Sequence, residues 1–276
     1  MKATSLFHPL LKSAAVLAAM TAMALPAQAH RTFLLPSSTV VAGNTPWVTI
    51  DAAAASDVFY FDHVPLKLDT LQITAPDGSK IKAENPHTGR YRSVFDIKLE
   101  QAGSYKVSLI NEGLFASYKQ DGKPKRWRGT AETFAKEVPA NAEELQVTQR
   151  SNRIETFVTN GKPGGKALEI SGQGLELQGI THPNDLVAGE SASFRLFLDG
   201  KPAANVEVTI IEGGIRYRQK LGDQVLHSDA EGKFSFTFKN PGMYWLEAEI
   251  KDSKNVKAPA SSRVAAYIGT FEVLPQ

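Results

Sequence analysis

The residues of widest chemical reach in this chain are its histidines, and they are few: six in 276 residues, with no cysteine at all. His30 follows Ala27-Gln28-Ala29, the small-residue pattern at which secretory signals are cut, so cleavage after Ala29 leaves His30 as the first residue of the mature chain. A free N-terminal histidine offers its α-amine and Nδ1 together as a chelate. In model peptides such groups titrate near ~8 and ~6.5, low enough for a divalent metal to displace their protons around neutrality. The plainer account is that some residue has to follow a cleavage site. Asp62-His63, after the apolar run Val58-Phe59-Tyr60-Phe61, adds a second imidazole and a carboxylate that either ligates or orients one; a surface-loop histidine beside an acid fits the same residues. His182, in Thr181-His182-Pro183-Asn184-Asp185, falls near the expected junction of two domains, where it faces the first domain or serves as a turn element. The expected metal set is therefore His30, Asp62, His63 and His182. Imidazole and amine nitrogens suit copper, nickel, cobalt or zinc, with iron a further choice. His87 and His227 read as solvated turn residues.

Other chemistries find no support. No Gly-x-Ser-x-Gly elbow, helical His-Glu-x-x-His or phosphate-cradling glycine loop occurs, so no catalytic residues are assigned. Asp229-Ala230-Glu231-Gly232 lacks the acidic spacing of a calcium loop and reads as a hairpin turn. The aromatic and basic segment Tyr118 to Arg128 is open to two readings, a recognition loop or a cover for a sheet edge.

The elements that must carry these residues are strands. Short alternating runs, among them Trp47–Asp51, Tyr91–Leu99, Ser104–Asn111, Ser191–Leu198, Val206–Glu212, Phe234–Phe238 and Met243–Ile250, have the period of half-buried antiparallel strands. Turn-rich segments such as Pro76-Asp77-Gly78, Asp199-Gly200-Lys201-Pro202 and Asn240-Pro241-Gly242 separate them. Helix is expected only between Thr130 and Arg150, at Thr130–Lys136 and at Asn141–Gln146, where Asn141 as N-cap and Glu144 form a capping box. A weak repeat runs through the chain: Val41-Ala42-Gly43 and Val187-Ala188-Gly189 come early in each half, Gly103-Ser104-Tyr105 and Gly242-Met243-Tyr244 late. The glycine-rich stretch Asn160–Gly174 separates the halves. The expected fold is all-β: two tandem immunoglobulin-like antiparallel β-sandwich domains, residues 30–170 with a short helical insert and residues 171–276, behind a cleaved signal peptide at 1–29.

The leader has Lys2 and Lys12, then an apolar run from Ala14 to Leu25 of about a dozen residues, short of the ~20 that span a bilayer, and Pro26 where an anchor would continue. A soluble periplasmic protein without stable membrane insertion is the expectation. Cleavage removes two lysines from a chain of net charge +2, leaving a neutral mature protein with no basic field for nucleic acid. The absence of cysteine excludes lipid attachment at a thiol, disulfides and thiolate metal sites.

The mature start His30-Arg31-Thr32-Phe33-Leu34-Leu35-Pro36, the Asp62-His63 pair, the Pro76-Asp77-Gly78 turn, Gly103-Ser104-Tyr105, and the turns Asp199–Pro202 and Asp229–Phe234 together resemble the NikM-like family of bacterial periplasmic proteins of unknown function, often labelled as the periplasmic component of nickel or cobalt uptake. The resemblance spans nearly the whole mature chain. It implies β-sandwich domains and a histidine near the mature start, which maps onto His30. The transmembrane helices found where such domains are fused to a transporter are lacking here. The leading expectation is accordingly a non-enzymatic periplasmic accessory for transition-metal uptake or handling, its partners a metal ion and an inner-membrane transporter or outer-membrane receptor. A structural adaptor that presents loops to such a partner is the alternative. A third reading is an oxidative copper enzyme built on the N-terminal histidine, which would also need a platform of exposed aromatics that the sequence does not display.

Overall fold

The computed structural model describes residues 30–254 and 256–276; the leader expected at 1–29 lies outside them. The first half contains β1 (Arg31–Pro36), β2 (Val40–Val41), β3 (Trp47–Ala55), β4 (Val64–Pro65), β5 (Leu71–Thr74), β6 (Lys80–Ile81), β7 (Glu84–Thr88), β8 (Ser93–Lys98), β9 (Gly103–Gln120), β10 (Lys123–Gly129), α1 (Ala131–Glu137) and β11 (Glu143–Asn160). The second contains β12 (Leu175–Gly179), β13 (Ser191–Leu198), β14 (Lys201–Pro202), β15 (Glu207–Glu212), β16 (Gln224–His227), β17 (Lys233–Thr237), β18 (Gly242–Asp252) and β19 (Ser262–Val273). The fold is all-β, as the alternating patterns required. Single 3₁₀ turns at Lys166–Leu168 and Ile215–Tyr217 are the other helical pieces among the described residues.

These strands build three open sheets. A large one runs β16-β15-β18-β19-β11-β9-β5-β6, with β10 also on β9 and β2 on β11. A sheet of β1-β3-β8-β7, with β4 on β3, packs on one of its faces, and a small sheet of β12, β13, β14 and β17 packs on the other. The halves on either side of residue 170 are thus joined within one sheet, where β11 and β19 pair in parallel from Thr148↔Ser262 to Thr156↔Thr270. Side chains alternate across a strand, so these two strands feed both cores. Ile154, Val158, Ala266 and Ile268 face Phe33, Ile50, Phe95 and Ile97. Phe157, Tyr267 and Phe271 face Leu177, Phe194 and Leu196. That double duty explains why β11 is buried without interruption from Arg153 to Asn160.

The repeat has a physical counterpart. The Tyr105 hydroxyl accepts the Gln101 N–H at 2.7 Å and donates to the Gln101 carbonyl, while the Tyr244 hydroxyl makes the same two bonds to Asn240. In each half a tyrosine two residues after a positive-φ glycine ties its strand to the turn before it. Burial raises both phenol pKa values above their ordinary range.

Some local expectations fail. Thr130 does cap α1, with Thr133 completing the capping box, but Asn141–Gln146 is not a helix. Ala142 closes a turn onto Pro139, and β11 begins at Glu143 with a bulge between Glu143 and Gln146 and Glu144 at φ +52°. The long strand β9 offers this segment a ladder of backbone partners, and that gain overrides a local capping signal. His87 and His227, read as turn residues, lie instead in the exposed strand β7 and at the exposed end of β16.

Candidate functional site

Both candidate histidines precede strands that flank β3. Arg31, at the start of β1, pairs with Ala55, and Val64, at the start of β4, pairs with Ala54 on the other side. His30 and His63 therefore project over the end of β3 from opposite sides. Their rings meet in a stack, centroids 3.4 Å apart and planes 4° from parallel.

The backbone of one residue holds both arms of this pair. The Ser56 N–H donates to Asp62 Oδ1 at 2.9 Å, and the Ser56 carbonyl accepts from Arg31 Nη1 at 2.9 Å. The neighbours of both histidines are thus pinned to the residue that follows β3. Asp62, expected as a ligand or an orienting carboxylate, is turned toward this backbone bond. Arg31 in turn lies over the Trp245 ring, whose Nε1 donates to the Thr32 carbonyl at 2.9 Å. The loop from Ser56 to His63 is clamped from beneath. Phe59 takes a left-handed conformation, φ +63°, which a bulky side chain adopts only when its surroundings enforce it. Its ring packs edge-on against Phe33 at 5.3 Å and against Gly213, where a Cβ would stand 3.0 Å from the ring. Phe61 also touches Phe33 and lies under the Arg92 guanidinium, itself paired with Asp51.

Two imidazoles so placed can share an ion after one adjustment. Nitrogens on one metal each lie ~2.0–2.1 Å from it, so they are no more than about 4.2 Å apart, a span compatible with the observed stack. Ring-nitrogen lone pairs lie in the ring plane, however, so parallel rings point them side by side, and one ring must turn to aim at a common centre. Among the described residues no third His, Asp or Glu joins the pair in a group of three. The donor set that these residues offer is therefore nitrogenous, two imidazoles.

His182 belongs to a different network, beyond the far end of β1. Its Nδ1 accepts the Asn184 N–H at 3.1 Å and its Nε2 lies 2.9 Å from Ser104 Oγ. With Nδ1 as acceptor, the neutral ring carries its proton on Nε2 and donates it to Ser104. Ser104 contacts Thr159, which donates to Asn184 Oδ1, and Asn184 donates to the Phe157 carbonyl. Ser104 is fully buried, and an Nε2 that donates cannot act as its base, so the contact is structural. Burial lowers the His182 pKa against the opposing influence of Asp185. The sequence reading passed over Ser56, because a backbone clamp leaves no signature in residue type, and Arg31, whose role depends on where the Ser56 carbonyl lies.

Residues 27–252 match the model of a protein family described as a domain of unknown function, DUF4198. The chain belongs to this family. The match covers the histidine pair, the loop that clamps it and most strands of all three sheets, and it carries no nickel or cobalt label. No curated protein matches the chain. Among solved structures, the D0-D1 domain of Intimin is similar at 14% identity over 87% of this chain and 97% of that one, with a TM-score of 0.23. A DUF3823 family protein from Bacteroides uniformis is similar at 9% identity over 90% of this chain and 100% of that one, TM-score 0.25. A DUF4785 family protein from Legionella pneumophila is similar at 9% identity over 78% of this chain and 50% of that one, TM-score 0.23. Likenesses this distant carry no weight for the function of this DUF4198 member.

Proposed function

We propose that this DUF4198 member is a non-enzymatic, exported metal-binding accessory that takes up a divalent transition ion at its mature N-terminus. In this reading the ion is held by the His30 amine, a His30 ring nitrogen and a His63 ring nitrogen. The observation that carries it is the meeting of His30 and His63, 33 positions apart in the chain, at a ring separation of 3.4 Å. The Ser56 clamp supports it, because backbone that fixes the neighbours of both rings limits the reorganisation needed to bind. An all-nitrogen set favours copper over nickel, and nickel over cobalt. Handing the ion to an inner-membrane transporter or outer-membrane receptor, as in the nickel and cobalt uptake role attached to NikM-like proteins, is the physiological form of the proposal.

The test is calorimetric titration of copper, nickel, cobalt and zinc into four proteins: the chain beginning at His30, the same chain with one residue added before His30, His30→Ala and His63→Ala. The extra residue converts the amine to an amide without a basic lone pair, so all three altered proteins are expected to bind at least about tenfold more weakly, the loss of roughly 1.4 kcal/mol or more that a missing ligand entails. Equal affinity across the four removes His30 and His63 from metal binding and leaves the adaptor reading ahead.

A further inference from the structure

A second candidate site arises from a gap in the large sheet. On one side of β9, β5 pairs with Lys106–Leu109 and β10 pairs with Leu114–Gln120, so the β9 residues between them have no strand beside them there. The notch opens into a groove of about 640 Å³ between the segment Val64–Lys67 and the arm formed by β9, β10 and β11.

Three cations from three separate elements line it: Lys67 after β4, Arg128 on β10 and Arg150 on β11. Among the described residues none of the three has a side-chain hydrogen bond or a carboxylate within ion-pair distance. Glu112 is the acid in the lining, so the groove carries an excess of positive charge. Between the arginines lies Phe115. Arg128 is its direct partner across the β9–β10 ladder, and the Arg150 guanidinium carbon stands 5.0 Å from the ring centroid. Phe115 is 38% exposed, a large apolar residue left open on a strand. Convergent cations in a concavity raise each other's energy until an anion enters, and a guanidinium fork matches the two oxygens of a carboxylate or phosphate. An exposed ring beside the fork adds a contact for a flat or apolar body.

We infer that this notch binds a small organic oxyanion, a carboxylate or phosphate attached to an apolar body. Arg128 and Arg150 grip the charged end, Lys67 faces them across the groove, and Phe115 lies under the apolar part. The site does not depend on a metal at His30 and His63.

The inference is tested on the full mature chain, treated with a chelator so that metal plays no part, at low ionic strength. Phenyl phosphate, benzoate and inorganic phosphate are titrated calorimetrically against the wild type, Arg128→Gln, Arg150→Gln, Phe115→Ala and a control, Lys201→Gln, on the exposed strand β14 of the small sheet. Saturable binding of phenyl phosphate or benzoate is expected. It weakens about tenfold or more in each arginine variant, since a charge-assisted hydrogen bond contributes ~1.5–3 kcal/mol, and is unchanged in the control. Phe115→Ala is expected to narrow the preference for phenyl phosphate over inorganic phosphate. Circular dichroism of each variant separates lost binding from lost folding. A parallel arm measures cosedimentation with vesicles of phosphatidylglycerol and phosphatidylcholine, to distinguish a free anion from a lipid headgroup. Capture by vesicles without saturable binding of the soluble anions overturns the inference, as does binding that survives within twofold in the Arg128→Gln/Arg150→Gln double variant, or no binding by the folded wild type.

Discussion

Single side chains in this fold gain their roles from what the backbone does around them. His182 shows this in a form that pH reveals. Its Nδ1 accepts a backbone N–H, so protonation of the ring abolishes that acceptor, and burial already holds its pKa below the ordinary 6.5. A histidine with a lowered folded pKa binds fewer protons in the native state than in the unfolded one. Its contribution to stability is therefore complete above about pH 6.5 and declines as pH falls through the lowered value. Denaturant unfolding of the wild type between about pH 7 and pH 5 should show this fall, and His182→Gln, which keeps a polar side chain there, should flatten it. Identical pH dependence in the two proteins would remove His182 as the source. The histidines were also the part of the site most legible in the sequence: the position of His30 after the cleavage pattern and the Asp62-His63 pair both named residues that the fold brings to one place. What residue types do not reveal is a partner made of backbone, and the main chain of Ser56 is such a partner.

Elements were legible wherever one face was buried and the other was not. β8 reads Ser93-Val94-Phe95-Asp96-Ile97-Lys98 and alternates in burial at every residue. Legibility failed where pairing rather than periodicity decided the outcome, as at Glu143–Gln146, and where two faces are buried at once, as in β11. The distal arm is a distinct case. β9 and β11 are each 18 residues long, and their outer turns pack with β10 and α1 around a small apolar cluster of Leu114, Ala116 and Val147, supported by Tyr118, Trp127 and Phe134. That cluster is separate from the two main cores. Leu114→Ala should accordingly raise amide exchange in the outer part of β9, in β10 and in α1, and leave exchange in β3, β8 and β13 unchanged, because opening of the arm is a local event. Uniform acceleration through all three sheets would show that the arm and the body open together.

At the scale of the molecule the decisive feature is the parallel β11–β19 pair, with a core on each side. Phe95→Ala in the first core and Phe271→Ala in the second, each expected to lose about 3–5 kcal/mol, should lower one and the same cooperative transition, since neither core retains its wall when the shared strands detach. Two resolved transitions, each sensitive to one substitution, would instead mark the halves as independent. The same pair dictates an order of events during synthesis. Of the described strands β19 is the last to emerge, yet it sits between β18 and β11 in the interior of the large sheet. The bond from Trp245 to Thr32 and the contact of Glu272 with Thr39 join residues more than 200 positions apart. A growing chain cannot close either core before the residues of β19 arrive, and contacts of such long sequence separation form slowly. The pairing of β1 and β4 with β3 can form early, but Trp245 and Glu272, on which β1 and the turn after it rest, arrive late, so the bed under this segment is completed only after its own strands have paired.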